Sequence, residues 1–164
     1  MKVSENGWHG DRSSAYAGFI NLPEEWAMAS IRKEISIAVP PEQLWDAMRD
    51  VGALHTRLVA GFVVDCRLEG ETRTVTFANG MVATELIVDV NDPERRVVWS
   101  VVGGRLTHHN ASAQVFADGS GNSRVVWIAD LLPHELAPAI AGMIEQGLAA
   151  MKQTLEKAAS STRT

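Results

Sequence analysis

The sequence predicts an α+β fold in which seven antiparallel strands pack against one long C-terminal helix, with two short helices after the first strand. Two observations carry this prediction. Apolar and polar residues alternate in a first segment and again in a series of segments separated by turn residues. Residues 134–157 instead repeat apolar residues every three or four positions. A run of strands with a helix at its end is typical of α+β domains.

The first strand and the short helices follow from local signals. Between Ile31 and Val39, isoleucine and valine alternate with charged and polar residues, as in a half-buried strand. Pro40 and Pro41 end that strand, and proline is tolerated in the first turn of a helix. We therefore predict a helix over Glu42–Asp50 and a second short helix beginning in Val51–His55.

The remaining strands are separated by turn chemistry. Asn79-Gly80 is the strongest hairpin signal in the chain, because both residues tolerate the positive φ of a tight turn. Clusters of Asn, Asp, Gly and Ser mark the other connections. A long helix from about His134 to Lys157 closes the domain. The predicted strands are Phe62–Leu68, Thr72–Phe77, Met81–Val90, Arg96–Val102, His108–Ala117 and Arg124–Leu131.

Length and composition indicate one soluble domain. The chain has 164 residues, of which 46% are hydrophobic and 21% charged. Its net charge of −5 and the lack of a basic run argue against nucleic acid and anionic membrane surfaces as partners. The single cysteine, Cys66, excludes an intrachain disulfide and favours the cytoplasm. We find neither a membrane-spanning stretch nor a secretory signal.

The N-terminal segment differs from the rest. Residues 1–27 are rich in Ser, Gly and charge, with scattered aromatic residues and no sustained period. We interpret residues 1–27 as an extension that is either flexible or packed on the surface, residues 28–158 as the domain, and residues 159–164 as a disordered tail.

Four segments, in this order along the chain, point to a known family. They are Ile37–Trp45, with its proline pair before Leu44-Trp45; Asn79-Gly80 with Glu85 and Asn91–Arg96; Trp99–Gly104 with Leu106-Thr107; and Gly147–Lys152. Together they resemble the START-like helix-grip superfamily (SRPBCC, the polyketide cyclase/dehydrase and lipid transport proteins). The resemblance covers Ile31–Glu156 and extends distantly to plant abscisic-acid receptors and birch-pollen-allergen-like proteins.

The resemblance implies a curved seven-stranded sheet that grips the C-terminal helix, with a cavity between them for a hydrophobic small molecule. The short helices would close one end. Two loops depart from the abscisic-acid receptors, since the gate is only Ala78–Met81 and the latch is shortened to Gly103–Leu106. We therefore do not expect abscisic-acid-type switching.

Two polar residues are candidates for the cavity. His108 and His109 are neighbours on a strand and point to opposite faces, so they cannot bind one metal ion together. The resemblance places His109 where the receptors present a ligand-facing tyrosine. For Glu85 the evidence is divided: strand alternation favours the outer face, whereas the resemblance places it in the cavity. Both are catalytic candidates, with Asp130 and Arg105 as weaker ones.

Apolar residues complete the predicted cavity. For most of them, plain core is the competing interpretation. We expect no metal and no cofactor, since no nucleotide, hydrolase or zinc-protease motif occurs. The predicted ligand-binding residues are Glu85, Trp99, Val101, His109, Ala111, Ala113, Ile128, Met143 and Gly147.

Three functions follow from this sequence. The first is binding of a hydrophobic small molecule such as a lipid, an isoprenoid or a polyketide-like compound. The second is a cyclase/aromatase or dehydratase that uses a cavity His or Glu. The third and weakest is a co-chaperone-like interaction module. Two or more polar groups in the cavity would favour the enzyme, whereas a purely apolar cavity would favour the binder. The sequence leaves open whether the protein forms a homodimer.

Overall fold

The computed structural model describes residues 28–161, so the proposed extension 1–27 and residues 162–164 lie outside the described residues. Seven strands form one antiparallel sheet in the order β1-β7-β6-β5-β4-β3-β2. The predicted fold class, a helix-grip α+β fold, is confirmed. The strands are β1 Ala29–Ile37, β2 Val63–Glu69, β3 Thr72–Phe77, β4 Val82–Asn91, β5 Arg96–Val102, β6 His108–Ala117 and β7 Ser123–Leu132; the helices are α1 Pro41–Arg49 and α2 Ala137–Ser161.

The helical segments differ from the predictions mainly at their ends. The second short helix is a π-helical turn over Leu54–Leu58, which begins within the predicted segment Val51–His55. A 3₁₀ turn over His134–Leu136 precedes α2. Residues 159–161, assigned to a tail from the sequence, continue α2. The hydroxyl groups of Ser160 and Ser161 both donate to the Lys157 carbonyl oxygen, at 2.8 and 3.0 Å, and so satisfy an acceptor of the last turn.

Helix α1 is fixed to the sheet by its aromatic residue. Trp45 is 7% exposed, and its indole Nε1 donates to Oδ1 of Asp92 at 2.9 Å. Asp92 lies in the turn between β4 and β5, so this bond ties the first short helix to a hairpin 47 residues further along the chain. Trp45 is thus a structural residue that anchors α1 to the turn between β4 and β5.

Helix α2 is held along its sides by polar contacts with neighbouring segments. Lys33 of β1 pairs with Glu145, and Lys152 Nζ donates to the Ser36 carbonyl oxygen at 2.9 Å. On the other side, the Ala60 N–H donates to Oγ1 of Thr154 at 3.1 Å. These contacts anchor α2 between β1 and the segment after the π-helical turn. Its apolar stripe is left to face the concave side of the sheet.

Two absences concern the described part of the chain. Between residues 28 and 161, no helix combines the length and the apolar character needed to cross a membrane. Over the same residues, no group of three or more His, Cys, Asp or Glu side chains is arranged to hold a metal ion.

Candidate ligand-binding cavity

A cavity of about 130 Å³ lies between the concave face of the sheet and α2. This size is close to that of an engineered protein cavity of roughly 150 Å³ that binds benzene. The two short helical segments close one side, the central strands form the floor, and α2 forms the roof with residues between Ile140 and Met151. The wall is mostly apolar and includes Leu54, Leu58, Val75, Ala113, Trp127, Ile140 and Met143.

Aromatic rings form much of this wall. Trp99 and Trp127 lie edge to face, with ring centroids 5.2 Å apart. Phe62 and Phe77 form a second edge-to-face pair with centroids 5.3 Å apart. All four rings line the cavity. Edge-to-face pairs fix the orientation of both rings, so the wall offers rigid, flat surfaces to a ligand.

Polar side chains enter the cavity along one row of the sheet. The register pairs Arg73 with Glu85, and Glu85 with Val101. His109 follows on the next strand, beside Val101. All four residues line the cavity. Because side chains in register point to the same face, one row places a guanidinium, a carboxylate and an imidazole on an otherwise apolar surface.

Arg73 and Glu85 form a buried ion pair. The two residues are 4% and 6% exposed. The Arg73 Nε–H donates to Oε2 of Glu85 at 2.7 Å, and Nη2 lies 2.6 Å from the same oxygen. Nη1 donates to the Val51 carbonyl oxygen at 3.1 Å. Burial raises the pKa of the Glu85 carboxyl group, and the charge and hydrogen bond of Arg73 act in the opposite direction.

His109 is held as a neutral imidazole. Its Nδ1 accepts a hydrogen bond from the Val101 backbone N–H at 3.0 Å. An N–H donor requires a lone pair on Nδ1, so the ring proton resides on Nε2. Burial lowers the pKa of His109, and the neighbouring His108 lowers it further. The side chain therefore offers the cavity one N–H donor and no free basic nitrogen.

Most of the predicted cavity residues lie where the sequence analysis placed them. Glu85, Trp99, Val101, His109, Ala113 and Met143 all line the cavity. The open question about Glu85 is thereby decided for the concave face. Alternation along β4 pointed the other way because its outer face also carries large apolar residues, which the structure leaves exposed: Val82, Leu86 and Val88.

Three predicted positions differ. Ile128 was wrongly placed in the cavity: it is 37% exposed on the outer face, because the register turns Trp127 and Ala129 inward. Ala111 is buried opposite Trp99, whose ring forms the wall there. Gly147 lies behind the wall, where a Cβ atom would be 3.2 Å from Trp127.

The weaker polar candidates do not reach the cavity. Asp130 is half-buried on the outer row of β7, in register with Asn110 of β6. Arg105 is exposed in the loop between β5 and β6. Sequence analysis missed Arg73, although it alternates with Val75 and Phe77 on one face of a predicted strand. That alternation was the only signal that could have revealed it.

Residues 28–156 match the family described as polyketide cyclase / dehydrase and lipid transport. The chain belongs to this family. The match confirms the resemblance drawn from the sequence. A comparison with curated proteins gave no match.

Solved structures show the same fold. An uncharacterized protein from Bacillus thuringiensis is 20% identical, with a TM-score of 0.70, and the match covers 77% of this chain and 98% of that one. The protein XoxI from Bacillus cereus is 24% identical, with a TM-score of 0.67 and coverage of 77% and 95%. A norcoclaurine synthase from Thalictrum flavum, in complex with a transition-state analogue, is 19% identical, with a TM-score of 0.64 and coverage of 84% and 98%.

Proposed function

We propose that this family member binds a hydrophobic small molecule in the cavity between the sheet and α2. The observation that carries the proposal is a mostly apolar cavity with a few fixed polar groups at one row of its floor. Ligand pockets are usually concave and apolar, with a small number of placed hydrogen-bonding groups that orient the ligand. Membership of a family that includes lipid transport proteins supports the same function.

The volume of the cavity limits the size of the ligand. A volume of about 130 Å³ holds one ring or a short chain. Met48, Met143 and Met151 line the cavity, and methionine side chains adapt to ligands of varied shape. Isoprenoid, short lipid and polyketide-like compounds fit this description.

We place this activity in the cytoplasm, because Cys66 is a free thiol and the chain has no second cysteine.

Intrinsic fluorescence and mass spectrometry test the binding function. Native mass spectrometry of freshly purified protein should show a retained small molecule. After removal of that molecule, titration with 1-octanol should change the fluorescence of Trp99 and Trp127, which line the cavity. Val101→Phe should fill the space between Glu85 and His109 and weaken octanol binding at least 10-fold.

The matched control is the next residue on the same strand. Val102 is 39% exposed, so Val102→Phe adds the same volume away from the cavity and should leave octanol binding unchanged. Equal binding by wild type and Val101→Phe would contradict the cavity as the binding site.

A second function, a cyclase or dehydratase, is favoured by the presence of both Glu85 and His109 in one cavity. Binding is the simpler account of their contacts. Glu85 is engaged by Arg73, and Nδ1 of His109 already accepts a backbone hydrogen bond, so neither is a free general base. The Nε2–H of His109 could still polarise a ligand carbonyl. Turnover of a copurified compound that His109→Phe abolishes, while binding persists, would establish the enzyme instead.

A further inference from the structure

We propose that the cavity selects uncharged ligands and discriminates against carboxylates, because its buried cation, Arg73, is already paired with the carboxylate of Glu85. This inference rests on the proposed binding function and specifies the chemical class of its ligand. It distinguishes alcohols, ketones and esters from fatty acids and other carboxylic acids with the same apolar body.

The contacts of Arg73 carry the first step. All three guanidinium nitrogens face protein acceptors: Nε and Nη2 face Oε2 of Glu85, and Nη1 faces the Val51 carbonyl oxygen. The guanidinium carbon also lies 6.0 Å from the ring centroid of Trp99. With only 4% of the residue exposed, an incoming carboxylate could reach this cation only by displacing Glu85.

Among the described residues of the cavity wall, none can replace Arg73 as a partner for a ligand carboxylate. Within residues 28–161, Arg73 is the only lysine or arginine that lines the cavity, and His109 is neutral. A ligand carboxylate in this cavity would therefore lose its hydration without gaining an opposite charge. Burying an unpaired charge is far more costly than burying a hydroxyl or carbonyl group that finds a hydrogen bond.

The same row suits a neutral polar group. Both bonds from Arg73 fall on Oε2 of Glu85, which leaves Oε1 as an acceptor for a ligand hydroxyl. His109 supplies the complementary donor at Nε2, since Nδ1 is engaged by Val101. A hydroxyl can use either group, and a ketone or ester can accept from His109. The ion pair thus both excludes an anion and orients a neutral ligand.

A matched pair of ligands tests the inference. At pH 8, 1-octanol and octanoate share the same chain but differ in charge. Wild-type protein, titrated by intrinsic fluorescence, should bind octanol at least 10-fold more tightly. Glu85→Gln should bring octanoate binding up at least 10-fold, because the guanidinium then lacks its anionic partner and pairs with the ligand.

Two further variants keep the test decisive. Glu69→Gln removes one negative charge from an exposed site on β2 and should leave the selectivity as in wild type. The double variant Arg73→Gln with Glu85→Gln has no buried cation, so it should again reject octanoate even if Glu85→Gln alone folds poorly.

The possible failures are distinguishable. If wild type binds octanoate as tightly as octanol, or if the double variant binds octanoate like Glu85→Gln, the charge selection is wrong while the binding function stands. If wild type binds neither octanol nor any copurified molecule, the proposed function itself fails.

Discussion

The backbone N–H of Val101 donates to the imidazole Nδ1 of His109 at 3.0 Å. Register pairing between β5 and β6 extends only to Trp99 and Ala111, so the Val101 N–H has lost its place in the ladder. The histidine side chain satisfies a partly buried backbone donor that would otherwise lack a partner in the sheet. His109 therefore has two roles. It accepts a hydrogen bond from a backbone donor of the sheet, and it presents a polar group to the cavity.

The variant His109→Phe removes the hydrogen-bonding groups of this side chain while it keeps the packing of the ring. Phenylalanine keeps a ring of similar shape but removes both nitrogens, which leaves the Val101 N–H without an acceptor. We expect the free energy of unfolding to fall by about 1–3 kcal/mol, the usual cost of an unsatisfied buried group. Octanol binding should weaken as well, because the Nε2–H is lost. Urea denaturation and fluorescence titration measure the two effects.

His109→Asn is the matched variant. The Asn oxygen can take the position of Nδ1, so stability should return towards wild type, while ligand affinity should stay low because nothing replaces Nε2. If His109→Phe changes neither stability nor affinity, the hydrogen bond has no structural or binding role.

His109 should also make stability depend on pH. Its pKa is lowered in the folded protein by burial, so the unfolded chain binds a proton first as the pH falls below about 6.5. The contribution of the neutral ring is therefore complete above pH 6.5 and is lost as the pH falls towards the folded pKa. Glu85 acts with the opposite sign, because its raised pKa favours the folded state at low pH.

Comparing variants isolates the histidine. Across pH 5–7, the free energy of unfolding of wild type should fall more steeply on acidification than that of His109→Asn, measured by urea denaturation at each pH. His134→Asn alters an exposed histidine in the 3₁₀ turn and should follow the wild-type profile. Parallel profiles for wild type and His109→Asn would show that burial of His109 does not couple folding to protons.

Local patterns were sufficient to predict the order of strands and helices and the α+β class, whereas the helix-grip arrangement was predicted from the family resemblance. Asn79-Gly80 and the other turn residues mark the strand ends, and strand and helix periods differ enough to separate the sheet from α2. The site depended on the choice of face, and there two strands were ambiguous. β4 carries apolar residues on both faces, and β7 places Trp127 next to Ile128, so alternation alone could not tell which side faces the cavity.

The polar contacts of the site could not be read from local sequence at all. From the sequence alone, Arg73 resembles an ordinary exposed arginine on a strand. Only the pairing of β3 with β4 shows that Glu85 lies opposite to it. His109 finds its partner in Val101, on another strand, because the β5–β6 ladder stops short. Sequence analysis considered Glu85 for the cavity, but it did not identify Arg73 as the residue that engages it.

Residues 1–27 should be dispensable for folding. A seven-stranded sheet, both helices and a buried core all lie within residues 28–161, and the family match begins at residue 28. Protein beginning at Met28 should keep a cooperative thermal transition within a few degrees of the full chain, by circular dichroism. Loss of cooperativity would show that the extension covers apolar surface of the domain.

Two glycines of α2 give a matched test of helix packing against the cavity wall. Nothing lies within 4 Å of a Cβ built on Gly142, so Gly142→Ala should raise the free energy of unfolding by about 1 kcal/mol through helix propensity. A Cβ on Gly147 would lie 3.2 Å from Trp127 and 3.3 Å from Phe62, two rings that line the cavity. Gly147→Ala should therefore lose that gain or become destabilising, because close-packed rings give way only at a cost.

The same contact links α2 to the ligand. Displacing Trp127 or Phe62 changes the shape of the cavity, so Gly147→Ala should also weaken octanol binding, whereas Gly142→Ala should not. Urea denaturation and fluorescence titration of both variants measure stability and affinity side by side. If both alanines stabilise equally and bind octanol equally, α2 does not set the position of the aromatic wall.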